Sequence, residues 1–68
     1  MQESFAVHWV GSFVRDGKTT KECTLNFQAA TVQDVTATIS SYCDRMQADG
    51  WYLKGNPRLR MLRVVGHG

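Results

Sequence analysis

The 68 residues are 43% hydrophobic, 10% aromatic and 21% charged, and eight Lys and Arg against six Asp and Glu leave a net charge of +2. That length admits one small domain and excludes a two-domain enzyme. No apolar run approaches the roughly 20 residues of a membrane-spanning helix, and the apolar fraction is too high for a disordered chain.

Residues 4–14 read as a strand, with Phe5, Val7, Trp9 and Phe13 on one face and Ser4, Ala6, His8, Val10, Ser12 and Val14 on the other. Residues 19–28 read as a second strand, in which Lys21, Cys23, Leu25 and Phe27 alternate with Thr20, Glu22, Thr24, Asn26 and Gln28. Period two with aromatic and β-branched enrichment is the pattern of half-buried strands. Asp16-Gly17 between them is a turn signal. A two-residue loop would set Trp9 opposite Thr24, apolar against polar. A three-residue loop of Arg15, Asp16 and Gly17 keeps faces matched, with Phe5 opposite Phe27, Val7 opposite Leu25 and Trp9 opposite Cys23.

Residues 31–48 read as a helix. Thr31 suits the N-cap, with Asp34 three residues on. Val32, Val35, Ile39, Tyr42, Cys43 and Met46 form one apolar stripe at intervals of three and four. Gly50 stands where a helix stop belongs. The Thr- and Ser-rich middle is a poor intrinsic helix former, so the helix needs its sheet.

Residues 51–54 and 58–65 read as a second hairpin about Gly55-Asn56-Pro57. Its parity groups Trp51, Leu53, Leu59 and Met61 on a core face, and Tyr52, Lys54, Arg58 and Arg60 on the other. Beyond Met61 the pattern loosens, as a bulge near Leu62 or a strand contacted on both sides would produce. The expected architecture is α+β: a single β-β-α-β-β domain over residues 1–68, antiparallel hairpins with one helix on one sheet face and the other face open.

Charge is unevenly placed. Residues 1–50 hold four basic and six acidic side chains, and residues 51–68 hold Lys54, Arg58, Arg60 and Arg63 with no acid. An electrostatic partner would be met by this last third.

Three functional classes are weighed. Catalysis needs an acid or base in a shaped, partly dry cleft. One helix over one sheet offers little material for it, no phosphate loop or zinc-protease pattern is present, and His8 reads as an ordinary strand histidine. The chain is therefore expected not to be an enzyme and to use no cofactor or metal. Nucleic-acid binding is the alternative, a weak, sequence-tolerant contact through the basic hairpin, with Tyr52 as a stacking platform. The favoured reading is protein binding. Tyr52, Lys54, Arg58, Arg60, Leu62, His8 and Val10 would form an apolar patch with a cationic rim, the make-up of an interface. The same patch would serve a homodimer.

Two cysteines, Cys23 and Cys43, without a Cys-x-x-Cys spacing read as reduced and buried. The first residues lack a basic and apolar leader. Both features point to the cytoplasm. In size and style, though in no motif, the chain resembles the accessory proteins of phages and mobile elements, among them inhibitors of bacterial defence such as anti-CRISPR proteins. That resemblance implies occlusion of a partner, here without the acidity of a DNA mimic. Gly66-His67-Gly68 reads as a tail.

Overall fold

A computed structural model describes residues 3–65; the Gly66-His67-Gly68 tail lies outside them. The chain runs β1 (Glu3–Arg15), β2 (Thr19–Ala29), α1 (Val32–Ala48) and β3 (Trp51–Val65). The fold is α+β, with one antiparallel sheet of three strands in the order β2-β1-β3 and the helix between β2 and β3 in sequence. The expected β-β-α-β-β order is corrected: residues 51–65 form one strand instead of a hairpin.

The β1–β2 turn lies one residue later than expected. Asp16 and Gly17 both have positive φ, 55° and 67°, and Lys18 N–H donates to the Arg15 carbonyl at 3.1 Å. These are the marks of a type I′ turn, whose twist matches that of the strands it joins. The loop is three residues long but comprises Asp16, Gly17 and Lys18, so the register lies two residues from the expected one. Val7 faces Phe27, Trp9 faces Leu25 and Gly11 faces Cys23. A shift of two preserves the faces, so the core assignment survives it.

β3 lies along the other edge of β1. Trp51–Lys54 pair with Arg15–Ser12, and Arg58–Val65 pair with Val10–Glu3. Gly55, Asn56 and Pro57 bulge outward opposite the single residue Gly11. Gly55 takes φ 72°, open only to residues that tolerate the left-handed region, and Pro57, which has no N–H to give a ladder, sits on an edge strand. A hairpin there could lay only one of its arms along β1; running straight through pairs β1 along its length. The expected bulge near Leu62 is absent, since the register runs unbroken from Arg58 to Val65.

The helix begins at Thr31, whose hydroxyl accepts the Asp34 N–H at 3.1 Å, an N-cap worth about 1 kcal/mol. It ends with Gly50 at φ 88°, its N–H on the Gln47 carbonyl at 2.9 Å. α1 covers the face that carries the odd-numbered strand residues. One cluster joins Trp9, Phe13, Cys23 and Trp51 to Leu25, Ile39, Tyr42, Cys43 and Met46, and another joins Val7, Ala29 and Val35 to Phe5, Phe27 and Ile39. Trp9, Phe13 and Tyr42 pack mutually at centroid separations of 6.0–6.1 Å, tilted or edge-on, the arrangement that aromatic quadrupoles favour. Both cysteines are free; Cys23 is buried and Cys43 only half-buried.

The stripe is narrower than its spacing suggested. Val35 is the one buried residue of the helix, and Val32 is 55% exposed. Leu53, Leu59 and Met61, expected in the core, share its face but remain 41%, 53% and 37% exposed. A single helix about 10 Å wide buries Val7, Trp9 and Phe13 of β1, Cys23 and Ala29 of β2, and Trp51, and leaves the rest of the β3 row exposed.

Candidate functional site: the open sheet face and β3

The face away from the helix carries the even-numbered residues. Its middle strand bears mostly short side chains, Ala6, His8, Val10, Ser12 and Val14, while longer ones rise on both flanks. The result is a shallow trough along β1. Its β2 wall is Glu22, Thr24, Asn26 and Gln28; its β3 wall is Tyr52, Lys54, Arg58, Arg60, Leu62 and Val64. Among the described residues, depressions follow the trough. One of about 370 Å³ lies among Ala6, His8, Asn26, Arg60 and Leu62. Another of about 330 Å³ lies among His8, Val10, Arg58 and Arg60. A third of about 360 Å³ lies among Val10, Ser12, Glu22, Asn56 and Arg58.

All seven residues singled out from the sequence stand on this face. Across the β1–β3 ladder Leu62 is beside Ala6, Arg60 beside His8, Arg58 beside Val10, Lys54 beside Ser12 and Tyr52 beside Val14. His8, Val10, Arg58, Arg60 and Leu62 therefore form one group. Tyr52 and Lys54 stand apart, beyond the bulge. The hairpin would have paired Tyr52 with Arg60. In the straight strand their β1 partners, Val14 and His8, are six residues apart, or about 20 Å. Among the described residues the cation–π contacts are on the helix face, where Lys21 Nζ lies 5.0 Å and Arg15 Cζ 5.6 Å from the Trp51 ring.

His8 Nδ1 is 2.7 Å from Asn26 Oδ1. An amide oxygen only accepts, so Nδ1 carries the proton. The pairing ties the ring on the middle strand to the β2 wall. Alternation alone did not single out Asn26, because a cross-strand partner depends on the register. Exposure of Leu53, Leu59 and Met61 was equally hidden, since their parity is that of core residues. Among the described residues no group of three or more His, Cys, Asp or Glu is placed to hold a metal, and no helix is long and apolar enough to cross a membrane.

The perturbed titrations lie under the helix, away from the trough. The Tyr42 hydroxyl is pushed up to about 12 from 10.0, first by the Cys23 thiol beside it, then by burial and by the nearness of both cysteine thiols. Burial, then the neighbouring Asp44 carboxylate, push the Cys43 thiol up. Tyr42 thus binds its proton more tightly folded than unfolded. Its contribution to stability is complete below the unfolded value near 10 and is lost as pH climbs toward 12. Urea midpoints of wild type should fall over that interval, and Tyr42→Phe should flatten the decline. An equal decline in the variant would remove Tyr42 as its source.

No protein-family model matches the chain, and neither a curated protein nor a solved structure resembles it significantly.

Proposed function

We propose that the protein acts by binding, docking its open sheet face on an acidic region of a protein partner and occluding it, with no chemistry of its own. One observation carries this reading: Arg58 and Arg60 line the trough beside the apolar Val10, Leu62 and Val64, in a part of the chain that contains no acid. Leu62 is 63% exposed and Val64 40%. Apolar area framed by arginine is what protein interfaces favour. The trough is open to solvent along its length, and His8 is held by an amide instead of a carboxylate; neither feature suits general acid–base work.

Nucleic acid is the less favoured partner. Tyr52 is a single stacking platform, some 20 Å from Arg60. The protein-binding mode is also how a small inhibitor would work, by covering a surface its target needs.

The test compares wild type with the double reversal Arg58→Glu/Arg60→Glu, first checked for an unchanged fold. Proteins retained by immobilised wild type, released by moderate salt and lost in the reversal would support the reading. Equal retention by both forms would overturn it. Oligonucleotides titrated at low and moderate salt decide the rival: steeply salt-dependent binding that the reversal abolishes would put nucleic acid in the protein's place.

A further inference from the structure

We infer that β3 is the interface of a symmetric homodimer, in which its outer edge pairs with the same edge of a second copy to make a six-stranded sheet. The first ground is area. The chain exposes 5204 Å², where a compact monomer of its mass would expose about 4300 Å². The excess of about 900 Å² is close to the roughly 800 Å² that each partner buries in an ordinary stable interface. The radius of gyration is 14.0 Å, against about 11 Å for a compact domain of this length. As a lone chain the molecule is too extended and too exposed.

The second ground is where the exposed apolar surface lies. The sheet has two free edges, β2 and β3. β2 shows solvent Thr19, Thr20, Lys21, Glu22, Thr24, Asn26 and Gln28, the polar dressing that keeps an edge from pairing. β3 shows Leu53, Leu59 and Met61 on the helix face, and Tyr52, Leu62 and Val64 on the other. Its lysine, bulge and proline, Lys54, Gly55 and Pro57, fall in one stretch, and the charges beyond it are Arg58, Arg60 and Arg63. From Arg58 to Val65 the strand is regular, with neither proline nor lysine.

Charge then selects the register. A two-fold axis normal to the sheet keeps each side chain on its own face, so only residues of one face meet across it. With Arg60 on the axis, Arg60 would oppose its own copy. With Met61 on the axis, Arg60 opposes Leu62 of the second copy, Arg58 opposes Val64 and Leu59 opposes Arg63. No cation then faces a cation, and the whole of 58–64 is paired. Moving Leu62 to the axis would push Arg58 past the end of the strand. In the Met61 register both helices lie on one side of the sheet, with Leu59 and Met61 of the two copies in the gap between them. The two troughs share the opposite side.

Sedimentation equilibrium from micromolar to millimolar concentration is the primary test, and wild type should reach twice 7.7 kDa. Met61→Lys places two cations on the axis and should weaken association by roughly tenfold or more, with near-ultraviolet circular dichroism unchanged. Met61→Cys should cross-link on mild oxidation, since residues paired across the axis lie about 4.5–5.5 Å apart, within disulfide reach. Leu53→Cys, eight residues from the axis, should not, and wild type controls for the native thiols. If Met61→Lys failed to fold, the cysteine pair would decide alone. A 7.7 kDa species throughout, a dimer indifferent to a folded Met61→Lys, or cross-linking through Leu53→Cys in place of Met61→Cys would each overturn the inference. None of these readouts depends on the acidic partner, so the two proposals stand or fall separately.

Discussion

Phe13→Ala is expected to leave the chain largely unfolded at physiological temperature. Phe13 is 1% exposed, the most deeply buried large side chain among the described residues. It touches the Trp9 and Tyr42 rings, and so joins the centre of the sheet to the middle of the helix. Truncating a buried phenylalanine costs about 3–5 kcal/mol through lost transfer energy and a cavity. The two rings packed on it, Trp9 and Tyr42, are held edge-on against each other. A chain of 68 residues holds only about 3–10 kcal/mol in total at typical stability per residue. The loss therefore takes from about a third to the whole of what is available. Urea unfolding followed by tryptophan fluorescence measures it, because Trp9 and Trp51 both lie in this cluster. A loss under about 1 kcal/mol would show that the cluster does not hold the helix to the sheet. Dimerisation through β3 would add stability that grows with concentration, so the comparison belongs at one fixed concentration.

Legibility of the fold followed parity. Alternation placed Trp9, Phe13, Cys23 and Trp51 inward, and Tyr52, Lys54, Arg58 and Arg60 on the opposite face of their strand, as found. What parity does not carry is connectivity. A three-residue hairpin loop at 55–57 and a bulge of the same three residues leave Lys54 and Arg58 on one face alike. Composition favoured the turn, since Gly55, Asn56 and Pro57 are turn formers. The free second edge of β1 decided otherwise, and that edge is visible only once β1 and β2 are paired. The register shift at the first turn has the same origin. Both alternatives keep the faces, and the positive φ of Asp16 settles a choice that strand patterning leaves open.

For the site, residue type and face were readable and neighbourhood was not. His8, Val10, Arg58, Arg60 and Leu62 came together because the parity of β1 and of β3 each set them outward. Tyr52 fell away because its distance from Arg60 depends on whether the chain turns or continues. The exposure of Leu53, Leu59 and Met61 is a matter of helix width against sheet width. An apolar residue on the core face reads as buried until the covering element is counted. Once it is counted, the loosened pattern after Met61 acquires a physical meaning. Leu62 and Val64 stand on the open face and Leu59 and Met61 on the helix face, as in a strand made for contact on both sides and along its edge.

Gly11→Ala tests the least conspicuous residue of the core. Glycine in a strand interior ordinarily weakens it, and alanine gains roughly 0.5–1 kcal/mol. Here the sign should reverse. A Cβ on Gly11 would collide with the benzo ring of Trp9, lying 2.9 Å from Cζ2 and 3.0 Å from Cζ3 and closer still to Cη2. Trp9 is 2% exposed and wedged against Phe13 and Tyr42, so the indole has nowhere to retreat. Overpacking of this kind costs about 1–3 kcal/mol, which at about 4–8 °C per kcal/mol for a domain this small lowers the melting temperature by roughly 5–20 °C. Gly11 also faces the bulge of Gly55, Asn56 and Pro57, so a displaced indole strains β1 where β3 is least firmly paired. A double-mutant cycle with Trp9→Phe isolates the cause. The smaller ring should make room for the methyl group, and the pair should be less damaging than its two members added together, by about 0.5–3 kcal/mol. If Gly11→Ala stabilised the protein, or if the cycle were additive, the indole would not be lying over Gly11, and the close approach that shapes this end of the core would be wrong.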